Sequence, residues 1–247
     1  MASSAVIGWR ILFALLGCTM VATLAYTTAI DGSPFRRELL SRLMVTALID
    51  FYFNVIAIAA WVSYKESNWI AATIWIVFLV CFGSIATCAY ILWQLWQLSS
   101  QESFEDIMYH VLIKNPNKNG MQQHRKHSDI MIAKIVFGAL GCLMAVIMAY
   151  LFSDGSPFRK ELYTPWMVAT LVDFYINGTA LSVWMFYKEE SWLTAIFIAL
   201  FIIFGSASSF PFIVKELFKL NSEDPAYLVL FKSPNRSEVR YKRTSSS

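Results

Sequence analysis

Charge is what this sequence has least of. Of its 247 residues 15% are Asp, Glu, Lys or Arg, against about 25% in ordinary soluble domains. That shortage excludes disordered tails, fibrous repeats and most soluble enzymes. The net charge is only +3, from 20 Lys and Arg against 17 Asp and Glu, too little for nucleic-acid binding, which needs a concentrated basic face. Four cysteines, Cys18, Cys81, Cys88 and Cys142, all sit inside apolar runs, so no disulfide framework is implied. There is no phosphate-cradling glycine loop, nucleophile elbow, redox pair or HExxH helix. His124 and His127 stand three apart in QQHRKHSD with no cysteine or acidic cluster beyond Asp129, and read as solvated linker rather than a metal site. No metal or cofactor is expected.

What is present is apolar length. Hydrophobic residues make up 57% of the chain and the mean hydropathy is +0.52. A transmembrane helix needs about 20 apolar residues, and six stretches qualify: Ile11 to Ile30, Leu43 to Tyr64, Trp69 to Leu98, Ile135 to Ser153, Tyr163 to Tyr187 and Ser191 to Val214. Arg10 precedes the first, but no small-residue cleavage site closes it, so it is expected to stay as a span. The expected fold is an all-α membrane protein with six transmembrane helices.

The six stretches are two copies of three. DGSPFRRELL (31–40) and DGSPFRKELY (154–163) agree at eight of ten positions, and residues 43–66 align without gaps on 166–189 with twelve of 24 identical. Residues 1–98 read as a first three-helix repeat, 99–129 as a polar linker with an interfacial helix, 130–220 as a second three-helix repeat and 221–247 as a basic tail. An odd number of crossings per copy implies inverted repeats about an axis in the membrane plane. In that topology eleven Lys and Arg fall on the side of the termini and nine on the other. The split is too even to orient the chain by the positive-inside rule; the basic tail favours cytoplasmic termini, in the endoplasmic reticulum or another endomembrane.

Ser33-Pro34 and Ser156-Pro157 match a capping hydroxyl before a first-turn proline and predict helix starts. Beyond the third span, Phe104, Ile107, Met108, Val111 and Leu112 recur at helical spacing beside Glu102, Glu105 and Asp106, which predicts a helix on the membrane surface. The paired DGSPFR loops read as interfacial anchors with snorkelling arginines.

Inside the six stretches the charged residues are Asp50 and Asp173, at equivalent positions of the two copies. A carboxylate in hydrocarbon costs about 2.5–3.5 kcal/mol on insertion scales. Asn54, Ala57, Trp61 and Tyr64 follow Asp50 along one helix face, and Asn177, Ala180, Trp184 and Tyr187 repeat that face after Asp173. Brought together, the two stripes would form a pocket of two acids, two amides and four aromatic rings. The plainer alternative is that each Asp bonds a neighbouring donor and pins helices together, although such bonds average only about 0.6 kcal/mol.

The tandem DGSPFR[RK]EL with D-F-Y-x-N and W-x-x-Y-K-E resembles a family of plant multi-pass membrane proteins described as a domain of unknown function, over nearly the whole chain. It is similar in architecture alone to membrane-integral terpene and lycopene cyclases, and no motif carries residue roles across.

Three functions follow as expectations. The first is an isomerase or cyclase of an isoprenoid or sterol-like lipid. Asp50 and Asp173 would be its catalytic acid and base. Trp61, Tyr64, Trp184 and Tyr187 would stabilise positive charge, and Asn54 and Asn177 would complete the substrate pocket. The second is a small transporter or channel with the two acids as proton or cation sites; the acid-bearing stretches contain only Pro165, at a helix start, and Gly178, so discontinuous helices are not expected. The third is a non-catalytic scaffold. Membrane lipids and a hydrophobic small molecule are the expected partners, and nucleic acid is not.

Overall fold

The computed structural model describes residues 3–98, 104–112, 128–153, 162–189, 191–220 and 226–232. The described residues are all-α, with α1 (Ser3–Asp31), α2 (Arg42–Lys65), α3 (Trp69–Phe82), α4 (Ser84–Trp96), α5 (Phe104–Leu112), α6 (Ser128–Ser153), α7 (Pro165–Lys188), α8 (Trp192–Phe204) and α9 (Ser206–Phe218). Short 3-10 turns cover Arg37–Leu39 and Ala226–Leu230. Three stretches are long and apolar enough to cross a membrane: Ala5–Asp31, Arg42–Lys65 and Ile130–Ser153. The His124 and His127 linker, Ser156-Pro157, most of the second DGSPFR copy and the end of the basic tail lie outside the described residues.

Helix starts are set by side-chain oxygens that satisfy the otherwise orphaned first N–H groups. Ser41 accepts from Met44 N–H and Thr164 from Met167 N–H, both at 3.2 Å, with Pro165 in the first turn of α7. Ser33-Pro34 opens no helix; the chain there is irregular, and α2 begins eight residues later. The periodic run after α4 does form α5, and Ile107, Met108, Val111 and Leu112 are buried against the bundle.

The third stretch of each copy departs from expectation. The run from Trp69 is interrupted at Gly83, φ +53°, and its counterpart at Gly205, φ +57°. Trp75 and Tyr90 are fifteen residues apart, about 22 Å along a continuous helix, yet their rings lie 5.0 Å apart. Phe197 and Phe212, at the same offsets about Gly205, lie 5.5 Å apart. Each stretch is therefore a helical hairpin: α3 goes out to the glycine and α4 comes back, as do α8 and α9. Tyr90 Oη donates to Glu66 Oε1 at 2.9 Å, which ties the returning leg to the loop from which the hairpin left.

The hairpins correct the topology. Each copy crosses the bundle twice, not three times, so the copies point the same way. Arg10, early in α1, donates to the Leu95 and Leu98 carbonyls, both at 2.9 Å, at the end of α4. Thr170 near the start of α7 reaches Met44 near the start of α2, so α2 and α7 run in parallel. The packing is reciprocal: α1 lies on α4 as α6 lies on α9, and α7 on α1 as α2 on α6. The inverted repeat is replaced by a parallel pseudo-two-fold pair, with both hairpins entering from the end that holds the start of α1 and the Ala226–Leu230 turn.

Candidate functional site

At the hairpin tips the two copies complete each other. Asp50 on α2 accepts from the backbone N–H of Ser206 at 2.8 Å and from its hydroxyl, at the start of α9 in the other copy. Asp173 on α7 accepts from the backbone N–H of Ser84 at 2.6 Å, at the start of α4. A helix N-terminus presents unsatisfied N–H groups and about half a positive charge, so each carboxylate meets a matched donor, in bonds about twice as strong as neutral ones. Asp50 is 4% exposed and Asp173 half-buried.

Glycine is required at both tips. A methyl group on Gly83 would stand 2.7 Å from Oδ1 of Asp173 and 2.8 Å from Phe51, and one on Gly205 2.6 Å from Cγ of Asp50. The positive φ separately disfavours any side chain. Neither glycine nor serine was singled out as a candidate. The available signal was Phe-Gly-Ser, repeated at 82–84 and 204–206 inside otherwise uninterrupted apolar runs.

The amides stand one turn further along. Asn177 Oδ1 accepts from the Thr87 hydroxyl at 2.6 Å, which links α7 to α4. Its counterpart Asn54 donates to the Asp50 carbonyl at 3.1 Å. Asn54 Oδ1, Asn177 Nδ2, Ser84 Oγ and Ser209 Oγ are buried and unpartnered. Ser209 is the counterpart of Thr87 in the second copy, one methyl shorter.

The aromatic ends of the stripes lie elsewhere. Trp61 is eleven residues from Asp50, about 16 Å along the helix. With Ala57, Tyr64, Ala180 and Trp184 it lines a cavity of 270 Å³ between the C-terminal halves of α2 and α7. Asp50, Asp173, Asn54, Asn177 and Tyr187 do not line it. Tyr187 is buried with the Lys232 ammonium 5.9 Å from its ring. Ile58 and Leu181, one residue off the stripes, do line the cavity. The single pocket expected from the sequence is thus two separate places: a polar layer of cross-capped tips, and an apolar chamber further along the same helices. Among the described residues no cluster of His, Cys, Asp and Glu could hold a metal.

A family model covers residues 1–237, almost the whole chain. The chain belongs to the family described as protein of unknown function DUF1475. Neither the curated proteins nor the solved structures give a match. The family brings no activity with it, so function rests on the geometry above.

Proposed function

We propose that this chain is a multi-pass membrane protein that moves protons or small cations, with Asp50 and Asp173 as the sites where charge enters the polar layer. In this reading α1, α2, α6 and α7 cross the bilayer, and the two hairpins are re-entrant. The outer legs support it: Ile74, Val77 and Phe82 of α3 and Leu193, Ile196 and Ile203 of α8 are exposed apolar side chains suited to lipid contact. Charge supports it too. With parallel copies, Arg36, Arg37, Arg42, Arg159 and Lys160 fall on one side, and the other fifteen of the 20 Lys and Arg fall on the side of the termini. The positive-inside rule then favours cytoplasmic termini.

The observation that carries the functional reading is the reciprocal capping of half-helices. Helices broken inside the hydrocarbon, with their ends meeting ionisable groups, are the usual construction of transport sites. An ionised Asp50 holds the start of α9. Once protonated it loses the charge that strengthens this bond, and the tip is released; Asp173 acts likewise on α4. The isomerase or cyclase reading draws less support, because the chamber suited to an apolar substrate has no carboxylate in its wall.

The test is flux driven by a potassium diffusion potential in vesicles loaded with a pH-sensitive dye, and repeated with sodium outside and a sodium-sensitive dye inside. Purified protein should accelerate proton or sodium entry over empty vesicles, and Asp50→Asn and Asp173→Asn should each slow it at least tenfold. Wild-type vesicles no faster than empty ones for either ion would refute the reading.

A further inference from the structure

We infer that the two hairpin tips release unequally: the first turn of α9, residues 206–209, is a gate latched by Asp50, and the matching turn of α4, residues 84–87, is a fixed wall. The inference rests on the transport reading for what passes the gate, and on the polar layer for which turn moves. Among the described residues, the polar bonds that tie the α9 turn to a neighbouring helix end on one carboxylate, since Asp50 accepts both the backbone N–H and the hydroxyl of Ser206. The α4 turn is tied at two points by different groups. Asp173 accepts the Ser84 N–H at 2.6 Å, and the Thr87 hydroxyl donates to Asn177 at 2.6 Å. The second bond is neutral, so it outlasts any loss of charge at Asp173.

In the second copy that neutral hold is missing. Ser209 stands where Thr87 does, but its hydroxyl and Asn54 Oδ1 are both without a partner. Side-chain size follows the same division. The α9 turn reads Ser-Ala-Ser-Ser and has nothing bulky to wedge between its neighbours. The α4 turn reads Ser-Ile-Ala-Thr, and Ile85 packs into the cluster that includes Phe13, Cys88 and Ile91.

The α9 turn also has a hinge at each end. Gly205 lies before it at φ +57°. The α8 leg is held there by Tyr175, whose hydroxyl donates to the Ile202 carbonyl at 2.9 Å. Pro211 lies just beyond the turn, inside α9. It has no N–H to give the Ala207 carbonyl four residues back, and proline is a common cause of helix kinks. Its counterpart in α4 is Ala89, which carries the N–H. Between the turn and the proline, Phe210 is fully buried. Its ring is stacked 5.9 Å from Phe53 and set edge-on 5.5 Å from Phe137, so the rest of α9 keeps its place while the turn swings. A proton or cation that neutralises Asp50 therefore opens the α9 tip, whereas the same event at Asp173 leaves α4 seated on Asn177.

Amide hydrogen exchange of the full-length protein in detergent micelles, resolved residue by residue, tests the inequality. In wild type, residues 206–209 should be less protected than residues 84–87 by roughly 2- to 10-fold, the effect of one neutral hydrogen bond. Asp50→Asn takes the charge from both bonds of the latch and should lower the protection of 206–209 about tenfold or more. Thr87→Val keeps the shape, removes the neutral hold and should lower the protection of 84–87 by roughly 2- to 10-fold. Ser209→Ala removes a hydroxyl that ties nothing and should leave 206–209 unchanged. The wild-type comparison needs no variant, so it stands even where a substituted protein does not fold. Equal protection of the two turns in wild type, or a better protected α9 turn, overturns the inference. So does an α9 turn that Asp50→Asn leaves unchanged, or an α4 turn indifferent to Thr87→Val. Exchange is read without flux, which keeps the two readings separable. Unequal turns in a protein that moves no ion leave the swinging turn standing and refute transport; equal turns in one that moves ions refute the gate alone.

Discussion

Asp50 of the first copy accepts the backbone N–H of Ser206 in the second at 2.8 Å, across 156 residues of sequence. Asp173 does the same for Ser84 at 2.6 Å. Each carboxylate is thus the N-terminal cap of a helix to which it is not joined. Insertion of a carboxylate costs about 2.5–3.5 kcal/mol, and hydrogen bonds to a charged group contribute about 1.5–3 kcal/mol each. The cap offsets most of that cost, which an ordinary interhelical bond does not.

Removing a cap should therefore destabilise the fold. Asp50→Ala and Asp173→Ala should each cost about 2 kcal/mol, read as a loss of melting temperature in detergent. The Asn variants should lose less, because the amide oxygen still accepts while the charge is gone. A double-mutant cycle of Asp50→Ala with Ser206→Ala should give a coupling of about 0.5 kcal/mol or more. Zero coupling would mean that the hydroxyl contributes nothing to the cap.

Alanine at the hairpin tips should be worse tolerated than alanine anywhere else in these helices. Gly83→Ala and Gly205→Ala combine a positive φ with a clash against the opposing carboxylate, for roughly 1–3 kcal/mol from the backbone alone. Gly138, inside α6 with nothing within 4 Å of an added methyl group, is the control; Gly138→Ala should be neutral or stabilising by about 0.5–1 kcal/mol. Equal tolerance at the three sites would contradict the tight reversal.

The fold-back itself is open to cross-linking. In a background without the four native cysteines, cysteines at Trp75 and Tyr90 should be joined by a short bifunctional linker. Positions fifteen apart in a continuous helix stand about 22 Å apart and would not react together.

Topology follows from the hairpins. Asn235-Arg236-Ser237 is a glycosylation acceptor in the tail, and a second can be engineered near Asn119 in the linker. Both should stay unmodified in the endoplasmic reticulum, whereas an acceptor-bearing insertion after Gly32 should be glycosylated. Modification of the linker site alone would restore the inverted arrangement.

Much of this was legible in the sequence. Local composition and spacing gave α1, α2, α6 and α7, and the matched stripes marked Asp50 and Asp173 as a pair. The path of the third stretch was not legible. Lipid contact demands apolar side chains whether a helix crosses the bilayer or turns back inside it, so Trp69 to Leu98 has one composition under two topologies. Its length was the clue, since a crossing needs only about 20 residues and this stretch runs well past that. The partners of the two acids were hidden for a different reason: they are backbone N–H groups, which every residue but proline carries. The stripe, finally, merged two places because helical periodicity reports direction and not depth; Asp50 and Trp61 share a face but stand about 16 Å apart.

At the surface, Glu189 accepts from Lys215 at 2.6 Å, with Lys219 at 3.2 Å. The Lys215 hydrogen bond, aided by Lys219 and opposed by partial burial, lowers its pKa below the usual 4.5. A lowered carboxylate stabilises the folded state above its unfolded pKa, and that contribution is lost as pH falls through the folded value. Acid titration of stability should thus show a component below about pH 4.5 that Glu189→Gln removes. An unchanged acid limb in the variant would show that the cluster adds nothing to stability.

The exchange of caps has a consequence for descent. A chain with one copy alone would leave its carboxylate without a donor and its hairpin tip without an acceptor. A half-length ancestor could satisfy itself only by pairing with a second copy inserted in the same direction, which identical chains do by default, and joining two such chains needs a linker that stays on one side. Thr87 donates to Asn177, while Ser209, a methyl shorter, leaves Asn54 Oδ1 unanswered. The two halves are thus alike in backbone and unlike in the polar layer that joins them.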